Sequence, residues 1–461
     1  MRYDDTDWQT RMRVRLDTNL AWADRVGERG IAADALAEFW AGMGAGFKPA
    51  PTTAVVMPNT ADAPGDVTDF ARWAGRRYDS LVVLADGALG AGMAALAAAL
   101  LHPQWNLLGR EARVGPRLFF VTTTDPEAVS GVLDVLDPAA TLFVVVDAVG
   151  NATGPLAEFL LFRRALMTVL NERYREHIAG LAGPTAEVLR VLGRQEGFPV
   201  FALPDAGAAL LDPAPLLPLT AAGVDSAELL AGAAYARARS AAAADPWRNP
   251  PLMAAALHWL AHRQGARGIA ALSEAAALAP LAHWLAALWR WEDGEALAGV
   301  PTRGNIPLVA PNWTLVDLIA VSEYRRETPV PDLRTRAALP TAEARAARDQ
   351  VVAGLGYLGG ALLSELRHAQ ARARALTLAG AGYPSLTYRL PEINPFTVGQ
   401  LVALWERAAA YAAQLMGLAE GGAEDERLRE AAAALAGRPD LAERRRALLA
   451  EESRAREERM V

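Results

Sequence analysis

A glycine-rich segment preceded by an aspartate is the clearest candidate for a ligand-binding loop. Gly87-Ala-Leu-Gly90-Ala-Gly92 follows a predicted strand that ends at Ala85, and it opens a predicted helix. Backbone amides at a helix N-terminus bind anions such as phosphate. Asp86, however, places a carboxylate at the mouth of the loop, and two unit charges roughly 4 Å apart repel by about 4 kcal/mol at an effective dielectric constant of about 20. The loop therefore disfavours phosphate unless an arginine intervenes.

Two further patterns match chemical motifs only in part. Gly354, Gly356 and Gly359 have the spacing of a dinucleotide-binding loop, but the residues before them are typical of a helix and not of the required strand. Close packing of two helices is the favoured interpretation. His258 and His262 have the helical spacing at which two imidazoles can share a metal. Because no glutamate follows the first and no third ligand is near, core or surface histidines are favoured, and no metal site is predicted.

The composition excludes several classes of function. Of 461 residues, 46 are basic and 53 acidic, for a net charge of −7, so neither nucleic acid nor an anionic membrane is expected as a partner. The absence of cysteine excludes disulfides, thiolate nucleophiles, Cys-based zinc sites and iron–sulfur clusters. Lys48 is the only lysine, which excludes lysine-assisted catalysis later in the chain.

The sequence shows neither a secretory signal nor a membrane span. The first 20 residues are polar and acidic, without an apolar run behind a basic start. The most apolar window, residues 85–101, is shorter and less apolar than a spanning helix requires, so a buried helix is predicted there. We expect a cytoplasmic protein.

Short β-branched segments alternate with long Ala- and Leu-rich segments through most of the chain. Continuous apolar strands separated by helices are typical of a parallel sheet that is covered on both faces, so an α/β fold is predicted. The strands fall into two sets, which predicts two α/β units in tandem. The first set is 53–57, 80–85, 117–122, 141–147 and 199–203, and the second is 268–272, 306–310, 315–321 and 385–390.

Four segments in consistent order carry a resemblance to a known family. Residues 81–90 (LVVLADGALG) are similar to the motif V-x-G-I-G-G-S-x-L-G. Residues 122–147 contain TTTDPE and TLFVVVD, like D-P-E followed by K-T-L-x-x-V-x-S-K-S-G. Residues 216–225 (LLPLTAAGVD) and 390–401 (LPEINPFTVGQL) add two more matches. Over about residues 80–420, the chain resembles the glucose-6-phosphate isomerase family.

The resemblance implies two tandem sugar-isomerase-type α/β/α sandwich domains with parallel sheets, plus helical segments at both ends. We expect an N-terminal helical segment over 1–50, a first sugar-isomerase-like domain over 51–205 and a second over 206–394. C-terminal helices and a charged tail are expected over 395–461. The resemblance also implies a homodimer and a sugar or sugar-phosphate ligand, and no spacing in the chain implies a cofactor.

In this family a glutamate moves a proton between C1 and C2 of the opened sugar, an arginine stabilises the developing charge and a Ser/Thr-rich loop holds the phosphate. By resemblance, that loop corresponds to residues 147–155, where every hydroxyl at a family position is replaced. Gly150, Asn151 and Thr153 remain as candidate ligand-binding residues, together with Gly87 and Gly90 of the first loop.

The family's catalytic groups are largely missing from the corresponding segments. Residues 203–213 replace the arginine motif and contain no arginine, and residues 311–317 contain no histidine. Residues 417–425 replace the closing motif, and no lysine follows them. Glu292 is the candidate catalytic base, although direct alignment places Trp291 at the family's glutamate and a one-residue insertion is needed.

Two functions remain open at this point. The first is a divergent family member with weak or lost isomerase activity that is retained as a binding or regulatory subunit, with a partner enzyme, in sugar-phosphate metabolism. The alternative is an active aldose-ketose isomerase that converts glucose 6-phosphate to fructose 6-phosphate, or a related sugar. A site filled by Trp289 and Trp291 favours the binding protein. Arginines near Glu292 favour the enzyme, and the candidates are Arg290, Arg303 and Arg325.

Overall fold

The chain divides into two compact units. The computed structural model describes residues 1–43, 65–150, 152–203, 209–241, 245–266, 269–289, 315–331, 341–416 and 423–458. One unit, which we name the four-stranded unit, contains Met1–Pro49, Ala98–Leu100 and Glu228–Ala412. The other, which we name the five-stranded unit, contains Ala50–Ala97, Leu101–Ala227 and Ala413–Val461.

The described residues contain nine strands and seventeen α-helices. The strands are β1 (Arg15–Asp17), β2 (Ser80–Leu84), β3 (Arg117–Val121), β4 (Thr141–Asp147), β5 (Ile178–Ala182), β6 (Val200–Ala202), β7 (Ala270–Ser273), β8 (Val316–Glu323) and β9 (Ser385–Glu392). The helices are α1 (Thr6–Arg11), α2 (Ala23–Val26), α3 (Ala33–Met43), α4 (Gly65–Arg77), α5 (Gly87–Leu100), α6 (Pro126–Asp134), α7 (Thr153–Leu170), α8 (Glu187–Glu196), α9 (Leu217–Ala221), α10 (Ser226–Ala241), α11 (Pro250–Arg263), α12 (Ala279–Ala287), α13 (Ala342–Leu355), α14 (Leu363–Gly380), α15 (Pro395–Met416), α16 (Ala423–Leu435) and α17 (Ala442–Glu458).

The five-stranded unit is built on a parallel sheet with the strand order β3-β2-β4-β5-β6. Every residue of β2, β4 and β5 is buried, as expected for strands that are covered on both faces. Phe143 and Val145 of β4 pack in one apolar core with Phe159 and Phe162 of α7. The predicted α/β class with parallel sheets is confirmed here.

The four-stranded unit has the order β1-β9-β8-β7. Strands β7, β8 and β9 are parallel, and β1 adds an antiparallel edge to β9. Leu272 of β7 and Val316 and Leu318 of β8 form a core with Leu378 of α14. The sequence predicted only helices over 1–50, whereas the described part of this segment, 1–43, contains β1 as well as three α-helices.

Most predicted strands match strands of the structure. The predictions at 80–85, 117–122, 141–147, 199–203, 315–321 and 385–390 are confirmed by β2, β3, β4, β6, β8 and β9, and 268–272 overlaps β7. The predicted strands at 53–57 and 306–310 lie outside the described residues. Strand β5 was missed, because its sequence IAGLA is short and composed largely of small residues.

The structure also bears on two predictions about helices, one at the spaced glycines and one on membrane spans. Gly354 lies inside α13 and Gly356 begins a 3-10 turn, so the segment before the spaced glycines is the predicted helix and not a strand. A Cβ on Gly354 would meet nothing within 4 Å, so the predicted close packing of two helices is wrong at this position. Among the described residues, no helix combines the length and the apolar character that a membrane crossing requires.

Candidate ligand site at the sheet edge

The strand order of the five-stranded unit creates a crevice between β2 and β4. The chain leaves β2 through α5 toward β3 on one side, and it leaves β4 through α7 toward β5 on the other side. In open parallel α/β sheets, ligands bind beyond the carboxyl ends of the strands at the point where the connections diverge. We name the described loop residues after these two strands, 85–87, 148–150 and 152, the sheet-edge site.

The first loop depends on two glycines. Gly87 begins α5 with φ +63°, a left-handed conformation that glycine adopts without strain. A Cβ on Gly90 would lie 2.6 Å from the carbonyl oxygen of Ala85, so only glycine lets the first turn of α5 pack against the end of the strand. Of these predicted ligand-binding residues, Gly87 lies in the sheet-edge site, and Gly90 lies beside it in the first turn of α5.

The second loop lies beside the first. Gly150 has φ +82°, and a Cβ there would lie 2.7 Å from the carbonyl oxygen of Thr185. Thr153 is exposed and begins α7, while Asn151 lies outside the described residues. A Cβ on Gly154 would lie 3.9 Å from Oδ2 of Asp86, so the start of α7 borders the first loop.

Asp147 already occupies the amide donors of the second loop. It is the last residue of β4 and is fully buried. Its Oδ1 accepts hydrogen bonds from the backbone N–H of Gly150 at 2.8 Å and of Ala152 at 3.3 Å. Amides in this position, just before the N-terminus of a helix, are those that an anionic ligand would use. The chain therefore fills its own anion-binding loop with a carboxylate.

Asp86 adds a second acidic group. It lies at the N-cap of α5, but its side chain makes no capping hydrogen bond. Partial loss of hydration raises the pKa of Asp86, the charge of Arg429 opposes this shift, and the charge of Asp147 adds to it. The two carboxyl groups thus share one electrostatic environment.

Glu158 is a third acidic group, and sequence reasoning missed it. Its side chain is 4% exposed, and its Oε2 has no hydrogen-bond partner. Desolvation, followed by repulsion from Asp86, raises the pKa of Glu158 to about 7. A signal was present in the sequence, because Glu158 shares a helical face of α7 with the buried Pro155 and Phe162.

The three carboxyl groups define what the sheet-edge site accepts. A phosphate dianion would face the exposed Asp86, would be repelled by the charge of the buried Asp147, and would find two loop amides already bonded. Sugar hydroxyls or an ammonium group donate hydrogen bonds to carboxylates, and such charge-assisted bonds are the stronger ones. The site therefore suits an uncharged or cationic ligand rich in donors.

Glu158 gives stability a specific dependence on pH. A carboxyl group whose pKa rises from 4.5 to about 7 on folding keeps its proton longer in the folded state. The free energy of unfolding therefore falls as pH rises above about 4.5, by roughly 3 kcal/mol once pH exceeds 7. We expect Glu158→Gln to remove this fall, as measured by urea unfolding from pH 4.5 to 8.5. Glu187→Gln, which removes an exposed pair with Arg194, should keep the fall in stability. Identical pH profiles for wild type and Glu158→Gln would show that Glu158 does not cause it.

Of the residues proposed for catalysis, the structure describes only Arg325. Glu292, Trp291, Arg290 and Arg303 lie outside the described residues. Arg325 is described, and its guanidinium donates to the carbonyl oxygens of Ile393 at 2.8 Å and Leu100 at 2.9 Å. Arg325 therefore stabilises the backbone of the four-stranded unit, and these contacts argue against its role as a substrate-binding arginine.

The paired histidines have different partners. His258 is fully buried, and its Nε2 lies 2.8 Å from Oδ2 of Asp317, which is also fully buried. His262 instead contacts the carbonyl oxygen of Ala266 through Nδ1. No group of three or more potential metal ligands occurs among the described residues. The core interpretation of His258 is confirmed, and Asp317, 59 residues away, was missed as its partner.

Comparison with known proteins first defines the class. A hypothetical protein from Thermus thermophilus has TM-score 0.68 at 23% identity and covers 90% of this chain and 98% of its own. The glucose-6-phosphate isomerase of Chlamydia trachomatis has TM-score 0.61 at 19% identity, with 84% and 75% covered. The two α/β units thus have a sugar-isomerase-type fold.

Curated relatives then define the family. The glucose-6-phosphate isomerase of Carboxydothermus hydrogenoformans is 30% identical over 402 residues, which cover 83% of this chain and 84% of that protein. That of Rubrobacter xylanophilus is 30% identical over 348 residues, with 72% and 76% covered. No family model matches the chain. The chain belongs to the glucose-6-phosphate isomerase family, as its motifs predicted.

Proposed function

We propose that this chain is a divergent member of the family that binds an unphosphorylated sugar or amino sugar at the sheet-edge site, and that its activity on glucose 6-phosphate is weak or lost. The observation that carries the proposal is the carboxylate of Asp147, which takes the amides of Gly150 and Ala152. Family membership supports a sugar as the ligand. The acidic environment argues against its phosphorylated form.

The charges set the direction of selectivity. At an effective dielectric constant of about 20, one carboxylate at roughly 4 Å costs a unit of ligand negative charge about 4 kcal/mol. Arg429 offsets part of this at Asp86, whereas Asp147 is buried. An amino sugar reverses the sign of the interaction. Glu158 is buried beside this environment, and desolvation raises its pKa to about 7, so its charge adds to that of Asp86 mainly above neutral pH.

The expected result is selective binding without turnover. Glucosamine should bind the full-length protein at least ten-fold more tightly than glucose 6-phosphate in titration calorimetry at pH 7.5, with glucose between them. Asp86→Ser should remove the preference for the ammonium group, and Asp137→Ser, at a turn before β4, should leave it unchanged. A tighter affinity for glucose 6-phosphate would contradict the proposal.

The wider setting of this function rests on the resemblance. We propose that the protein is a cytoplasmic homodimer that acts as a binding or regulatory subunit with a partner enzyme of sugar-phosphate metabolism. Sedimentation at micromolar concentration tests the dimer, and a single species at 49 kDa would contradict it.

A second candidate function is favoured by the 30% identity to glucose-6-phosphate isomerase over 402 residues. In this case the chain is an aldose-ketose isomerase that uses Glu292 as its base. A coupled assay in both directions separates the two functions. Turnover that Glu292→Gln abolishes supports the isomerase, whereas no turnover by a folded protein that binds glucosamine supports the binding protein.

A further inference from the structure

A cleft in the four-stranded unit is lined by four arginines. Its volume is about 910 Å³, within the size range of small-molecule pockets. Arg15 is the first residue of the edge strand β1, and Arg13 lies two residues before it. Arg239 lies in the last turn of α10. Arg248 completes the set. We name this feature the arginine cleft.

Three of these arginines lie close enough for their charges to act on one another. Among the described residues, none of the four forms an ion pair with a carboxylate. Desolvation lowers the pKa of Arg13, and the charges of Arg239 and Arg15 add to that shift. Clustering like charges around one cleft is unfavourable unless an anion binds there.

Within the described part of the chain, Asp245 is the one carboxylate that lines the cleft, and it has a local role. Asp245 accepts the backbone N–H of Trp247 at 3.0 Å and so caps the turn that carries Arg248. Four arginines and one aspartate leave an excess of three positive charges in the cleft. This excess is local, because the chain as a whole has a net charge of −7.

The buried side chain of Gln400 holds the backbone that carries Arg13. Its side chain is 1% exposed, its Oε1 accepts the N–H of Val14 at 3.0 Å, and its Nε2 donates to the carbonyl oxygen of Met12 at 2.8 Å. These bonds hold the backbone on both sides of Arg13. Arg13 and Arg15 both line the cleft, and Val14 between them is buried.

Trp247 supplies an aromatic wall. Its indole is 67% exposed and stacks on Trp22, with ring centroids 5.7 Å apart and an interplanar angle of 22°. A planar or apolar part of a ligand can lie against the indole while its anionic part meets the arginines. Guanidinium groups bind phosphate through paired N–H donors, which suits several phosphate oxygens at once.

From these features we propose that the arginine cleft binds a small ligand that carries two or more phosphate groups. One phosphate cannot neutralise three excess charges, whereas a diphosphate or bisphosphate can. The shared chemistry could come from a nucleoside diphosphate, a bisphosphorylated sugar or inorganic pyrophosphate. This site is separate from the sheet-edge site, whose residues all belong to the five-stranded unit.

Titration calorimetry on the full-length protein with pyrophosphate as the probe tests the proposal. We expect one site per chain, with affinity at least ten-fold tighter than for orthophosphate and falling as salt increases. The double variant Arg13→Ala/Arg239→Ala should weaken pyrophosphate binding at least ten-fold. Arg372→Ala, at an exposed arginine of α14, should leave it unchanged.

Additional variants and ligands separate the effect of charge from the effect of the guanidinium geometry and of the indole. Arg13→Lys/Arg239→Lys retains both charges and should fall between wild type and the double alanine variant. ADP and fructose 1,6-bisphosphate distinguish the sources, and Trp247→Ala should weaken ADP more than pyrophosphate if a ring lies on the indole. Absence of pyrophosphate binding, equal affinity for orthophosphate, or binding that the double alanine variant leaves intact would each overturn the proposal.

Discussion

Replacement of Asp317 by alanine is expected to lower the free energy of unfolding by about 3–5 kcal/mol, the cost of breaking a buried charged or strongly polar pair. Asp317 lies on β8, inside the sheet of the four-stranded unit, and its partner His258 lies on α11. Their 2.8 Å contact therefore connects a helix to the sheet. Urea denaturation of the full chain measures the loss.

The surroundings make this loss large. Both side chains are at most 1% exposed, so water cannot replace the missing partner. Trp289 covers the imidazole, with ring centroids 4.4 Å apart. Nδ1 of His258 and the hydroxyl of Tyr388 also have no hydrogen-bond partner. Burial raises the pKa of Tyr388 well above its ordinary value, and the charge of Asp317 adds to that effect.

Two comparisons show whether the pair itself is responsible. Asp317→Asn keeps a hydrogen-bonding group of the same shape and should cost less than Asp317→Ala. Asp17→Ala breaks a pair with Arg389 on the same sheet, but the arginine side chain is 55% exposed, so at most about 1 kcal/mol is expected. If Asp317→Ala costs no more than Asp17→Ala, the buried pair does not stabilise the unit.

The fold was largely predictable because its central strands are continuous apolar runs. TLFVVVD of β4 and SLVVL of β2 are recognisable without knowledge of their neighbours. Strand β1 was not recognisable, because it has three residues and its stability comes from pairing with β9, more than 360 residues away. Local pattern cannot show a pairing that the folded chain creates.

The sites were less predictable, because their chemistry depends on residues distant in sequence. Gly87 could be proposed from its glycine-rich loop and Gly150 from the resemblance, and the structure places both at one sheet edge. The role of Asp147 could not be, since only the folded loop shows its carboxylate accepting two backbone amides. Net charge likewise concealed the arginine cleft, because a chain-wide value of −7 averages over separate surfaces.

The double variant Asp86→Ser/Asp147→Ser is expected to raise the affinity for glucose 6-phosphate by at least 100-fold. The resemblance assigns serine to the position of Asp147 in the family's phosphate loop. Asp147→Ser removes a buried charge and frees the amides of Gly150 and Ala152 for a ligand oxygen. Asp86→Ser removes the carboxylate at the N-cap of α5. A 100-fold gain corresponds to about 2.7 kcal/mol, less than the repulsion from one carboxylate at roughly 4 Å.

Single variants separate the two physical causes. Asp147→Asn removes the charge but keeps an oxygen that can bond the loop amides, so its gain should be smaller than that of Asp147→Ser. Asp137→Ser, at a turn in the same unit, should give no gain. If the double variant folds and binds glucose 6-phosphate no better than wild type, these carboxylates do not set selectivity. If it binds tightly without turnover, a tight phosphate site is not sufficient for catalysis in this chain, because an anion loop can be built without supplying a base.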